Sequence, residues 1–196
     1  MARFLLAGRS HEMLVLARNL GHGVVAVADP ACGAENWHGL PVHASDAEAV
    51  KVGGFGAVIL AIDDPAVRQR VQRFYERAGL SAADLIGGQL GDGTRHGAGL
   101  VIQRFANLSV DCSVGDGVRL NTGANVMHDV TLGDFVSIAP NAVLLSGVKV
   151  GSLSYIGANA TVLPGVVVGH GSTVGAGAVV TRDVADGATV KGSPAR

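Results

Sequence analysis

An aliphatic residue occupies every sixth position from Ile102 to Val180 without a gap: Ile102, Leu108, Val114, Leu120, Val126, Leu132, Ile138, Leu144, Val150, Ile156, Val162, Val168, Val174 and Val180. A period of six fits neither the 3.6-residue turn of a helix nor the two-residue alternation of a half-buried strand. It fits a solenoid, in which each turn of chain stacks on the last and buries its aliphatic residue inside. Four residues after each aliphatic stands a small or β-branched residue: Val118, Ala124, Val130, Val136, Ala142, Val148, Ser154, Ala160, Val166, Ser172 and Ala178. Glycine often directly follows the aliphatic, as at Gly115, Gly133, Gly151, Gly157, Gly169 and Gly175. The composition agrees: 48% of residues are hydrophobic but only 4% aromatic, which suits a narrow interior with little room for rings. The 29 glycines supply the permissive backbone that the corners of such a coil need.

The first part of the chain follows a different pattern, alternating strand and helix signals as a small βαβ domain does. Arg3–Ala7 is a short apolar strand, His11–Leu20 a helical stretch closed by Gly21, and Val24–Ala28 a second strand ending at Asp29-Pro30. Ala57–Ile62 is fully apolar, as expected for a parallel strand covered on both faces. Pro65 opens a helix running to Gly79, and Leu85-Ile86 is a last short strand. The glycine-rich stretch Gly87–Gly99 marks the boundary, so domains of 1–88 and 89–196 are expected.

A net charge of −1 gives no broad electrostatic footprint, so no nucleic-acid partner is expected. The sequence has no signal peptide and no apolar run long enough to span a bilayer, which reads as a soluble cytoplasmic protein without a membrane partner. Cys32 and Cys112 lack any metal-ligand spacing, and Cys112 occupies a small-residue position of the repeat, which reads as a packed free thiol.

The repeat resembles the left-handed parallel β-helix of hexapeptide acyltransferases, in which three hexapeptides make one triangular coil and residues 18 apart stack. A more specific likeness lies in Asn121, His128, Asp129 and Gly133, an N-x6-H-[DE]-x3-G pattern, together with the tail Gly192-Ser-Pro-Ala-Arg196. With these motifs the chain resembles, over its whole length, the PglD/NeuD-type sugar acetyltransferases. That resemblance implies an α/β plus β-solenoid fold: a small Rossmann-like N-terminal domain that binds a nucleotide sugar, followed by the left-handed β-helix. It also implies a homotrimer with active sites between subunits and acetyl-CoA as co-substrate. The hexapeptide carbonic anhydrases need three histidines converging on zinc. Only His128 and His170 lie within the repeat here, with His96 just before it, so no metal is expected.

In the family, the histidine matching His128 is the general base, and the acid matching Asp129 orients and polarises its ring. An attacking sugar amine must lose a proton as it adds to a thioester, and imidazole titrates close to working pH. The alternative for His128 is a solvated corner residue, and for Asp129 an ordinary turn residue. Asn121 either contacts substrate or caps a corner. Alignment by the repeat places the family's cofactor contacts at Ser137, Ser146, Ala158 and Ala176. Ser137 departs from the many relatives that carry a second histidine there.

In front, the family's G-x-[GS]-G-H phosphate loop reads Ala7-Gly8-Arg9-Ser10-His11, which keeps the histidine and loses two glycines. Asp29 stands where the acidic residue after the second strand is expected, and Asp63 replaces a glycine of the family's A-I-G-[DN]. Arg9, Ser10, His11, Asp29, Asp63 and Asn121 are thus the substrate candidates, unless this domain is a cap that no longer grips a nucleotide. The leading expectation is N-acetylation of a nucleotide-linked amino sugar, typically the 4-amino group of a 4-amino-4,6-dideoxyhexose. O-acetylation of a free sialic-type sugar is the alternative within enzymes, and a non-catalytic hexapeptide scaffold the alternative outside them.

Overall fold

Residues 18 apart lie in register throughout the C-terminal half. In the computed structural model, which describes residues 2–196, two-residue strands recur every six residues from Gln89–Leu90 to Val179–Val180. They align into three parallel sheets, one per face: Leu120 pairs with Ile138, Val126 with Leu144 and Leu132 with Val150. This stacked three-faced solenoid of hexapeptides fits a left-handed parallel β-helix. The coil shortens at its end, where Thr173 pairs with Thr189 at a spacing of 16.

All fourteen aliphatics of the hexad series point inward, and none is more than 7% exposed. The small residues four positions on fill the remaining space, and Cys112 is a buried free thiol among them. Two of these small residues are polar, and both are satisfied. Ser154 Oγ donates to the Gly169 carbonyl at 2.6 Å and Ser172 Oγ to that of Ala185 at 2.7 Å, which removes the cost of burying a bare hydroxyl.

The corners explain the rest of the pattern. From Gly93 to Gly177 every sixth residue has φ between +56° and +77°, because a two-residue corner requires a left-handed second residue. Glycine, Asp or Asn fills most of these positions, as their low left-handed cost predicts. Phe105, Phe135 and Leu153 are the exceptions, and the Phe135 and Leu153 N–H groups donate to the Asp116 and Asp134 carbonyls of the preceding coil. The glycines directly after the aliphatic have another cause, close approach. A Cβ on Gly157 would lie 2.6 Å from the Ala176 nitrogen and from the Val174 carbonyl oxygen of the next coil.

The chain divides into two compact units, Met1–Leu85 and Ile86–Arg196. The glycine-rich stretch 87–99, read above as a boundary, already forms rungs at Gln89–Leu90 and Arg95–His96. His96 takes the position of an aliphatic there, which hides the rung from the hexad series.

The first unit is a mainly parallel sheet of β1 (Arg3–Ala7), β2 (Gly23–Ala28), β3 (Asn36–Trp37), β4 (Leu40–His43), β5 (Ala57–Leu60) and β6 (Ser81–Ala82), ordered β3-β4-β2-β1-β5-β6. Among the described residues, only the β3–β4 hairpin is antiparallel in this sheet. Helices α1 (His11–Asn19), α2 (Asp46–Val52) and α3 (Pro65–Arg77) connect the strands. Each has an oxygen cap: Ser10 accepts from Met13 N–H, Ser45 from Glu48 N–H and Asp64 from Val67 N–H. α2 and the hairpin went unread in the sequence, although Ser45 caps the helix and Glu48 reaches back to accept from the Ala44 N–H just before the cap at 2.9 Å. Beneath the sheet, Tyr75 donates to Asp46 at 2.5 Å, and burial followed by that carboxylate pushes the phenol well above its usual range. Among the described residues no helix is long and apolar enough to cross a membrane.

Leu144→Ala leaves a cavity in a one-layer core and is expected to cost about 2–5 kcal/mol in urea denaturation. Gly157→Ala adds one methyl where the next coil's backbone already stands, and a loss of about 1–3 kcal/mol is expected by the same measurement.

Candidate active site

One exposed corner of the solenoid carries the most organised polar chemistry. Its stacked first residues are Asp92, Val110, His128, Ser146 and Pro164, each 18 after the last. Its second residues are Gly93, Asp111, Asp129, Gly147 and Gly165, all left-handed. Backbone bonds hold the layers together: the Gly147 N–H donates to His128 O at 3.2 Å and the Gly165 N–H to Ser146 O at 3.0 Å.

Neighbouring side chains on an extended chain point to opposite faces. The left-handed turn at Asp129 (φ 61°) instead brings its carboxylate beside the preceding side chain, and Asp129 Oδ2 lies 2.7 Å from His128 Nδ1. On the other side of the ring, Ser146 Oγ lies 2.8 Å from His128 Nε2. A carboxylate can only accept, so Nδ1 carries the proton of the neutral ring and the Nε2 lone pair faces the Ser146 hydroxyl. The imidazole is thereby fixed in tautomer and in plane, an arrangement suited to a general base.

The other solenoid candidates fall elsewhere. Asn121 donates from Nδ2 to the Ile138 carbonyl at 2.9 Å, which ties it into its own corner. Ala158 and Ala176 stack 18 apart at that same corner, where their small side chains leave the outer surface open. Ser137 lies on a face rather than a corner and is buried. Ser146, matched above to a cofactor contact, has its hydroxyl engaged with His128. The signal was in the sequence, since 146 is 128 plus one coil. His170 is an exposed corner residue whose N–H donates to Asp186 at 2.7 Å.

In the first unit the candidates gather at the carboxyl ends of β1, β2 and β5. The strand order reverses beside β1, with β2 on one side and β5 on the other, which is where open parallel sheets form a ligand crevice. Gly8 (φ 91°) follows β1 directly, and a Cβ there would lie 2.8 Å from the Ala61 carbonyl oxygen. Arg9 bridges to Asp29, Nε to Oδ2, at 2.7 Å, and Asp29 Oδ1 also accepts from the Ala31 N–H at 2.9 Å. Partial burial pushes the Asp29 carboxyl up, but the Arg9 and Ala31 hydrogen bonds and the Arg9 charge outweigh it and hold it below the usual carboxylate value. Ser10 is the cap of α1. His11 opens that helix and stacks on His38 with ring centroids 4.2 Å apart, while Trp37 meets His38 edge-on at 4.5 Å. These two hairpin aromatics carry no motif that sequence reasoning could have used. Asp63 sits in the loop after β5, whose Ile62 and Asp63 carbonyls both accept from the buried Arg68 guanidinium at 2.9 Å.

The family described as Bacterial transferase hexapeptide (six repeats) matches residues 111–146 and 147–182. A comparison with curated proteins returns no match. Among solved structures, a histidine-to-alanine variant of GDP-perosamine N-acetyltransferase from Caulobacter crescentus, in complex with CoA and GDP-perosamine, is 30% identical; the match covers 100% of this chain and 96% of that one, with a TM-score of 0.93. The acetyltransferase domain of PglB from Neisseria gonorrhoeae FA1090, in complex with acetyl coenzyme A, is 27% identical over 99% of this chain and 98% of that one, with a TM-score of 0.90. WeeI from Acinetobacter baumannii AYE is 27% identical over 100% and 99%, with a TM-score of 0.91. With a relative at this identity along its full length, the hexapeptide match and the His128–Asp129 corner, the chain belongs to the hexapeptide-repeat sugar acetyltransferase family of the PglD/NeuD type.

Proposed function

We propose that this enzyme transfers the acetyl group of acetyl-CoA to the amine of a nucleotide-linked amino sugar, with His128 as general base. The 4-amino group of a 4-amino-4,6-dideoxyhexose is the favoured acceptor. The observation that carries the reading is the doubly held imidazole, with Asp129 on Nδ1 and Ser146 on Nε2 at an open corner. A thioester is already activated, so the enzyme needs no nucleophile of its own, only positioning and a base. The amine's nitrogen attacks the carbonyl carbon, its proton passes toward His128, and the C–S bond breaks to release CoA. His128 keeps its Nδ1 proton throughout, donating it to Asp129, whose charge stabilises the imidazolium.

On this reading the thin pantetheine arm runs along the solenoid past Ala158 and Ala176, whose methyls leave room for contact with backbone. The active sites lie between subunits of a homotrimer, which gives the exposed His128 corner its covering wall. Residues 1–88 act as a Rossmann-like domain for the nucleotide. Arg9, Ser10, His11, Asp29 and Asp63 are its contacts at the strand ends of that unit. Both substrates are soluble metabolites, which suits a cytoplasmic enzyme. One observation supports O-acetylation of a free sugar as a second reading: Arg9 stands in the glycine-poor turn and occupies the carboxylate of Asp29 that a ribose would use.

CoA-thiol release from acetyl-CoA, measured against UDP-, dTDP- and GDP-linked 4-amino-4,6-dideoxyhexoses and against free sialic-type sugars, tests the choice. Turnover of a nucleotide-linked amine supports the first reading, and turnover of free sugars alone supports the second. His128→Ala is expected to lower kcat by about 10²–10⁴-fold, with Asp129→Asn intermediate. Asp29→Asn is expected to raise KM for the nucleotide sugar about tenfold with kcat little changed, the mark of lost uniform binding. In a carboxyl NMR titration Asp29 is expected below its ordinary 3.8, and Arg9→Ala moves it up. Because the folded value is depressed, the pair's contribution to stability is present above the unfolded value and disappears as pH falls through the folded one.

A further inference from the structure

The neutral imidazole offers one in-plane lone pair for a proton, at Nε2. In this chain that lone pair is already taken, because Ser146 Oγ lies 2.8 Å away. With Nδ1 committed to Asp129 at 2.7 Å, the hydrogen of the serine hydroxyl points at Nε2. An acceptor amine therefore cannot reach the base along the same direction unless Ser146 leaves. The hydroxyl has one donor and two acceptor lone pairs, so it can receive a proton from one side while donating on the other. The fold fixes the backbone that carries this hydroxyl beside the ring. Ser146 stands one coil above His128, successive coils lie about 4.8 Å apart, and the Gly147 and Gly165 N–H bonds pin the backbone of both residues. Ser146 is half-buried and His128 is exposed, which leaves the outer side of the hydroxyl toward the open corner.

We infer that Ser146 is the catalytic proton relay between the acceptor amine and His128, a role that rests on the acetyl-transfer reading above. As the amine nitrogen forms its bond to the thioester carbonyl carbon, its N–H proton moves to Ser146 Oγ and the serine's own proton moves to Nε2. The C–S bond then breaks with its electron pair on the CoA sulfur, and the Nε2 proton returns through Ser146 to that sulfur. Serine ends as it began, without an acyl group. Two protons move together in the first step, where a base in direct contact would move one.

The experiment compares wild type, Ser146→Ala, Ser146→Thr and His128→Ala, using acetyl-CoA and GDP-perosamine or whichever nucleotide-linked amine the wild type turns over. kcat is measured across mixtures of H₂O and D₂O. The relay predicts a curved dependence on deuterium fraction in wild type and a straight one in Ser146→Ala. It also predicts a kcat lower by about tenfold or more in Ser146→Ala, both KM values within about threefold, and most of the rate recovered in Ser146→Thr. In protein without ligands, the ¹⁵N resonance of His128 Nε2 is expected to shift on Ser146→Ala, reporting loss of the hydroxyl. If Ser146→Ala is as fast as wild type or faster, with the same solvent dependence, while His128→Ala is inactive, the amine displaces the serine and the relay is wrong. An unmoved Nε2 resonance overturns it as well, because the hydroxyl is then not on the base. Wild type inactive on every amine instead removes the acetyl-transfer reading, and the relay with it.

Discussion

Each coil of the C-terminal unit is tied to the next by backbone hydrogen bonds in a register of 18 residues, and the candidate chemistry depends on that lattice. Parallel rungs set the rise between coils at about 4.8 Å, so a side chain at one corner position has a fixed neighbour above and below. The corner holds two residues, the second left-handed, which turns Asp129 back toward His128. The stacking places Ser146 on the opposite ring nitrogen. Two contacts of different origin, one within a turn and one between coils, orient a single imidazole before any substrate arrives. Such preorganisation spares the reaction the cost of ordering a loose side chain.

The lattice also constrains what the core accepts. The interior is one residue thick, so every aliphatic of the hexad touches the coils above and below, and polar substitutes persist only with partners. Ser154 and Ser172 persist by donating to backbone carbonyls. Phe135 and Leu153 occupy the left-handed corner position against their own preference, each tied by its N–H to the coil before.

Much of this was legible in the sequence for physical reasons. The hexad and its small-residue companions mark an inward-facing position that cannot be disguised, and all fourteen members are buried. The His128-Asp129 pair was legible because the turn that joins them is local. The bond from Ser146 to His128 joins residues 18 apart, and it becomes visible only once the chain is threaded through a full coil. The first coil was harder to see. Its aliphatic position holds His96, and at the end of a stack such a position is no longer enclosed. In the first unit, α2 was missed although Ser45 and Glu48 cap it, because a seven-residue helix has no periodicity to read. Arg9 and Asp29 were both read as substrate contacts, but their mutual ion pair depends on how two strand ends meet.

The comparison with full-length relatives fixes the family, and the corner at His128 is the site proposed for its chemistry. The most direct measurement of the account is a crystal structure with CoA and a nucleotide-linked amino sugar both bound. A proton relay places the amine within about 3 Å of Ser146 Oγ, with Ser146 still on His128 Nε2 and the CoA sulfur beside the same corner. A sugar amine lodged at another corner, with His128 open to solvent, would contradict it.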